Sequence, residues 1–187
     1  RFLGIPEDFI SIVANLYKGA HTTFETPYGK TRRIPVLRGT LQGDPLSPLL
    51  FLLMVEPLIR WLKSLQKGYT LASNKLNLAS KWYADDATLV AHTVNDLNTQ
   101  LAVVNTFSEW SGIRLNISKC RLTGYIYELQ SLKKKKDRDS ALQARLANIR
   151  VGHTPIAIIS QDDPLPGGYL GTALTASLSP KAHLKWT

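Results

Sequence analysis

The predicted elements along this chain of 187 residues begin helix, two strands, helix, two strands, helix and end on a strand, which gives an α+β fold with a largely antiparallel sheet. Three observations predict it. Apolar residues recur at helical spacing in three segments, short β-like runs come in pairs, and turn residues or Gly/Pro-rich loops separate them.

Pro6-Glu7-Asp8 opens the first helix, since proline suits the first turn and acids suit the positive end of the dipole. Phe9, Ile12, Val13, Leu16 and Tyr17 repeat at helical spacing, and Gly19 ends the pattern. Two β-like runs follow, around His21–Thr26 and Arg32–Leu37, with Pro27-Tyr28-Gly29-Lys30 as the turn between them. Gly39 to Pro48 is a loop. Ser47-Pro48 reads as an N-cap and first-turn pair for a helix from about Pro48 to Leu65. That helix is apolar around most of its circumference early on, so its first half is expected to be buried. Leu76 to Tyr83 reads as a strand, Asp85-Asp86 as a tight turn, and Thr88 to Ala91 as the return strand. Thr93-Val94-Asn95-Asp96 resembles a capped helix start; Leu97, Leu101, Val104, Phe107 and Trp110 continue the helix and Gly112 ends it. Ile113–Ile117 and Arg121–Ile126 read as further β structure, Asp137–Ile149 as a polar, exposed helix, and Val151–Ser160 as β again.

Composition sets bounds. A hydrophobic share of 44% is enough for a core. The longest apolar run, Leu49 to Val55, is too short to span a bilayer. The single cysteine, Cys120, excludes an internal disulfide framework and a multi-cysteine zinc site, and it fits a reducing, intracellular compartment. Lys and Arg total 23 against 14 for Asp and Glu, a net charge of +9, which suits either a basic solvated surface or a partner rich in phosphate.

Two motifs carry chemistry. Asp85 and Asp86 are oxygen-only ligands that repel each other unless a divalent cation sits between them, and magnesium favours carboxylates together with substrate phosphates. Aspartate also simply favours turns. Here, however, the pair is flanked by Lys81-Trp82-Tyr83-Ala84 and Ala87-Thr88-Leu89-Val90, and a rigid hairpin that pushes paired acids outward is a costly ordinary turn. The second motif is the loop Arg38-Gly39-Thr40-Leu41-Gln42-Gly43-Asp44-Pro45-Leu46-Ser47-Pro48. Its glycines allow close backbone approach, and Gln42 offers both donor and acceptor atoms.

Together these strings resemble two successive motifs of the reverse-transcriptase palm, and the wording Gln42-Gly43-Asp44-Pro45-Leu46-Ser47-Pro48 is most similar to LINE-type, non-LTR retrotransposons. Downstream, Gly112-Ile113-Arg114-Leu115-Asn116-Ile117-Ser118-Lys119-Cys120 resembles the motif after the acidic hairpin, and Tyr169-Leu170-Gly171 resembles the primer grip. The resemblance runs from about Leu3 to Leu174. It implies a polymerase palm-like antiparallel sheet packed with helices, in a partial reverse transcriptase domain over residues 1–187: palm over about 3–127, a polar insertion over about 128–150 and the primer-grip region over about 151–174.

The implied activity is RNA-directed DNA polymerisation with two magnesium ions, or manganese in their place, held by Asp85 and Asp86. Gln42 and Gly43 would line the pocket for the nascent base pair and nucleotide. Lys119 would approach the leaving pyrophosphate, and Tyr169, Leu170 and Gly171 would hold the primer. Lys30, Arg32, Arg33 and Arg38 are candidates for template phosphates. The implied partners are an RNA template, a DNA primer, deoxynucleotide triphosphates and the upstream part of the parent polypeptide, with a nuclear location for a eukaryotic element. One family feature has no match here: a further metal-binding aspartate on an earlier strand. Asp8, Glu25 and Asp44 are poor substitutes, so the fingers and first palm strand are expected upstream of Arg1 and the isolated chain is expected to be inactive. The rival readings are a non-catalytic remnant that at most binds nucleic acid, and a group II intron-type enzyme.

Overall fold

The computed structural model describes residues 3–41, 43–71 and 76–163. The chain divides into two compact units, Arg1–Met54 and Val55–Thr187.

The first unit opens with α1 (Glu7–Tyr17), whose first turn carries Glu7 and Asp8. Gly19, at φ 73°, turns the chain out of the helix. Two small ladders follow. β1 (His21–Thr22) pairs antiparallel with β4 (Ile34–Pro35), and inside them β2 (Glu25–Thr26) pairs with β3 (Gly29–Lys30). The predicted turn over Pro27–Lys30 therefore shortens to Pro27-Tyr28, because Gly29 and Lys30 join the ladder. None of the described residues of this unit is fully buried. Ile12 and Leu16 of α1 are 64% and 54% exposed.

α2 (Ser47–Ser64) runs from the first unit into the second. The expectation that its first half is buried is overturned: Leu49 and Leu52 are exposed, and the buried residues are Val55, Leu58 and Leu62. A helix that is apolar all round needs cover on every side. Among the described residues only the stripe through Leu58 and Leu62 has it, against Val103, Val104 and Phe107.

In the second unit the run predicted as one strand from Leu76 to Tyr83 is two. β5 (Tyr69–Leu71) pairs with β6 (Leu76–Leu78), while β7 (Ser80–Tyr83) pairs with β8 (Asp86–Leu89). α3 (Val94–Ser111) forms as its local signals require. The Thr93 hydroxyl accepts from the Asp96 amide, and Gly112 ends the helix at φ 73°. The strand expected over Ile113–Ile117 does not form. The Ser108 hydroxyl donates to the Ile113 carbonyl and the Ile113 amide donates to the Ser111 hydroxyl, so serines at the end of α3 occupy the Ile113 groups a ladder would use, and Ile117 turns into a 3₁₀ helix.

β9 shrinks to Arg121–Leu122, and α4 spans Lys135–Leu146. This helix is not wholly exposed, because Leu142 and Leu146 pack with Leu101, Leu122, Leu129, Ile149 and Val151 into a second cluster. The closing β run is three short pieces, β10 (Arg150–Val151), β11 (Thr154–Pro155) and β12 (Ala157–Ile158). β10 and β11 form a hairpin, whereas β12 pairs parallel to β9, the one parallel pairing among the described residues. The class is thus α+β with small, mostly antiparallel ladders. No helix of the described residues is long and apolar enough to cross a membrane.

Candidate active site

The acidic hairpin is built from its register. Ser80 pairs with Leu89, Lys81 with Thr88, Trp82 with Ala87 and Tyr83 with Asp86, which leaves Ala84 and Asp85 as a two-residue loop. The sequence reading placed both acids in the turn; Asp86 instead opens β8. Ala84 has φ 49° and Asp85 a negative φ, the sign order of a type II′ turn, which suits the right-handed twist of the flanking strands. Glycine is the usual first residue of such a turn. An alanine there stores strain of about 1–2 kcal/mol.

Side chains alternate along the strands. Trp82 and Leu89 turn inward to the cluster around Leu62 and Phe107. Tyr83 and Asp86 share the other face, and both carboxylates are exposed. The base is fixed more firmly than the tip. The Val90 amide donates to the Ala79 carbonyl at 2.8 Å, Trp82 Nε1 donates to Ser80 Oγ at 3.0 Å, and Gln100 Nε2 of α3 donates to the Val90 carbonyl at 2.9 Å. Gln100 is fully buried, and its Nε2 also reaches the Lys67 carbonyl at 3.1 Å. Sequence reasoning missed this clamp. The signal was present: Leu97, Gln100, Leu101 and Val104 stand at i, i+3, i+4 and i+7, so a polar residue occupies the buried stripe.

Neither Asp85 nor Asp86 takes part in an ion pair or side-chain hydrogen bond among the described residues, so their lone pairs are free. Among those residues no three or more His, Cys, Asp or Glu side chains gather into a cage. Two neighbouring, unengaged carboxylates fit magnesium, which takes one or two carboxylates and completes its shell with water and substrate phosphates. The pair does not fit zinc, which prefers nitrogen and sulfur donors in a closed set.

Lys119 ends a single 3₁₀ turn, Ile117–Lys119. Its amide donates to the Asn116 carbonyl at 3.0 Å, and the Arg121 guanidinium donates to the Ser118 and Cys120 carbonyls at 2.7 and 2.8 Å. The turn is therefore held from below while the Lys119 amine stays exposed. No hydrogen bond or ion pair joins it to Asp85 or Asp86. Burial pushes the neighbouring Cys120 thiol up, away from the reactive thiolate.

In the first unit, Gly43 lies in the predicted loop at φ 88°, a left-handed value that glycine adopts freely. The Asp44 amide donates to the Leu41 carbonyl at 3.2 Å, closing a turn across Gly43. Tyr17 Oη of α1 donates to Asp44 Oδ2 at 2.8 Å, and the Leu46 amide donates to Asp44 Oδ1 at 2.9 Å. Ser47 is not the N-cap. It is the first residue of α2, and its hydroxyl donates back to the Leu41 carbonyl at 2.6 Å. Gln42, Tyr169, Leu170 and Gly171 lie outside the described residues. Lys30 of the β2–β3 hairpin, and Arg32, Arg33 and Arg38 beyond it, are all exposed, as is Tyr28 in the hairpin turn. In the lysine run, Lys135 donates to Asp163 at 2.6 Å, and that bond raises its pKa.

The family model described as reverse transcriptase (RNA-dependent DNA polymerase) matches residues 3–173. The retrovirus-related Pol polyprotein from the type-2 retrotransposable element R2DM of Drosophila melanogaster is 31% identical over 95% of this chain. A Pol polyprotein from a type-1 retrotransposable element R2 of Popillia japonica is 34% identical over 63% of it. The transposon TX1 uncharacterized 149 kDa protein of Xenopus laevis is 29% identical over 59%. The chain spans only 16%, 16% and 8% of the lengths of these relatives. A match over nearly the whole chain, with an acidic hairpin and a glycine-turned loop in the expected order, establishes that the chain belongs to the reverse transcriptase family, on its LINE-type, non-LTR retrotransposon branch.

Proposed function

We propose that this chain is the palm and primer-grip portion of an RNA-directed DNA polymerase that works within a longer polypeptide. The observation that carries the reading is the β7–β8 hairpin, with two unengaged, exposed carboxylates on a base packed into the core. In this reading Asp85 and Asp86 hold the magnesium ions, and a further carboxylate from the parent polypeptide completes the set. Magnesium held there would supply activation of the primer hydroxyl and charge stabilisation for the leaving pyrophosphate.

The chain's own residues do the rest. Gln42 and Gly43 receive the nascent base pair. Tyr83, on the same face as Asp86, borders the primer end. Lys119, on its anchored turn, offers a proton or a positive charge to the pyrophosphate. Tyr169, Leu170 and Gly171 hold the primer, and the exposed Lys30, Arg32, Arg33 and Arg38 meet template phosphates. Residues 3–127 are then the palm, 128–150 an insertion and 151–174 the primer grip.

The test is primer extension on an RNA template with magnesium, run on the longer polypeptide, on its Asp85→Ala variant and on this chain alone. Extension is expected only from the unchanged longer polypeptide. Equal extension by the Asp85→Ala variant would refute the assignment of the hairpin. Extension by this chain alone would refute the need for a further carboxylate.

A further inference from the structure

Helical spacing makes Tyr17 one more apolar position of α1, yet its hydroxyl touches three residues of the Gly39–Pro48 loop. Counting protons shows how the contacts divide. The single Tyr17 proton goes to Asp44 Oδ2 at 2.8 Å, and the single Ser47 hydroxyl proton goes to the Leu41 carbonyl at 2.6 Å. The approach of Tyr17 Oη to Ser47 Oγ at 3.4 Å therefore has no proton of its own. The Tyr17 oxygen keeps lone pairs, and the Leu41 amide donates to one of them at 3.4 Å. One hydroxyl thus grips both ends of the turn across Gly43: the Leu41 amide before it and the Asp44 carboxylate after it. A turn through a glycine has wide backbone freedom of its own, so its shape depends on the bonds that hold its ends, some of them made within the loop by Asp44, Leu46 and Ser47. The tether reaches it from a different element.

We propose that Tyr17 is a positioning residue for the incoming nucleotide. Its hydroxyl holds the turn at Gly43, between Leu41 and Asp44, in the shape that accepts the deoxynucleotide and its nascent base pair. This rests on the polymerase reading above. Tyr17→Phe keeps the ring and removes only the oxygen, which takes the Tyr17 donor from Asp44 Oδ2 and the acceptor from the Leu41 amide, while the Leu46 amide still donates to Asp44 Oδ1. It acts on binding and leaves the reacting atoms alone.

The experiment has two parts. In primer extension by the active longer polypeptide, Tyr17→Phe raises KM for deoxynucleotides about tenfold, as expected for loss of a hydrogen bond to a charged group, and leaves kcat within about twofold. Asp44→Ala, which also takes the acceptor from the Leu46 amide, raises KM at least as much, and the two substitutions together fall short of additivity because both remove the Tyr17–Asp44 link. In this chain, Tyr17→Phe speeds amide hydrogen exchange across residues 39–48 and leaves the Val94–Ser111 helix unchanged, so a general loss of stability is distinguished from a loosened turn. An unaltered KM, additive effects of the two substitutions, or exchange that rises equally in both segments would overturn the proposal. If the unchanged longer polypeptide does not extend primers, the polymerase reading fails and this proposal falls with it. An active polypeptide whose Tyr17→Phe variant keeps its KM sinks the positioning role alone.

Discussion

Replacing Gln100 by glutamate exchanges one buried nitrogen for one oxygen, with consequences for the acidic hairpin. Gln100 Nε2 donates to the Val90 carbonyl, one residue beyond β8, and to the Lys67 carbonyl ahead of β5. In Gln100→Glu both carbonyls lose their donor and face a carboxylate. Leaving a charge buried without a partner costs about 3–5 kcal/mol. That is a large share of the roughly 5–15 kcal/mol that holds a typical domain together. Desolvation raises the pKa of the introduced carboxyl, so the cost is present above that raised value and shrinks as pH falls through it, where the neutral acid again donates one bond.

Gln100→Met is the control. It keeps most of the volume, adds no charge and removes the Oε1 atom that has no hydrogen-bond partner, so its cost is about 1–2 kcal/mol and independent of pH. Urea unfolding followed by tryptophan fluorescence measures both, since Trp82 packs against the core beside this clamp. A Gln100→Glu variant within about 1 kcal/mol of the parent at neutral pH, or one whose deficit is unchanged on acidification, would refute the clamp.

Other substitutions test other joints. A Cβ at Gly68 would press on the backbone of Leu78 and Ala79, which cannot swing aside, so Gly68→Ala is expected to lower stability by about 1–3 kcal/mol rather than give the usual small gain; a raised thermal midpoint would contradict this. Leu62 is completely buried, so Leu62→Ala is expected to cost about 2–5 kcal/mol in urea unfolding, against near-neutral Leu49→Ala on the exposed part of the same helix. The Thr93 hydroxyl, and then Lys67 at 3.1 Å, hold the Asp96 carboxyl below its ordinary value of 3.8. A depressed acid contributes stability above that value and loses it as pH falls through the folded pKa, so Asp96→Asn should flatten the acid limb of urea midpoints plotted against pH, and an unchanged limb would count against it.

The elements legible in the sequence are those specified by near neighbours. Thr93, Asp96 and Gly112 fix α3 within a few residues of each end, and the structure follows them. Asp85 and Asp86 stood out because aromatic and apolar residues flank them. The turn shifted by one residue because register is set by which side chains go inward, here Trp82 and Leu89, and those neighbours come from α2 and α3. The same dependence on distant partners hid the exposure of Leu49, the burial of Leu142 and the role of Gln100. Ile113–Ile117 misled for a different reason: its alternation is real, but serines at the end of α3 take the backbone groups of Ile113, and Ile117 enters a 3₁₀ turn. At the Gln42–Gly43 loop the glycine turn was readable, whereas the hydroxyl that ties it to α1 belongs to a residue that spacing alone assigns to an apolar face.

The parallel pairing of β9 with β12 sets an order of events during synthesis. A hairpin such as β7–β8 can close as soon as its second strand emerges, but Arg121 and Leu122 meet Ala157 and Ile158 only after the whole of α4 has been made. Until then Leu122 has no strand beside it, and the cluster it shares with Leu142 and Leu146 lacks one wall. The Arg121–Leu122 edge, only two residues after Lys119, thus stays open to a wrong partner longer than the acidic hairpin does. A nascent chain halted before Ala157 would present the acids on a finished hairpin while the neighbourhood of Lys119 was still waiting for its last strand.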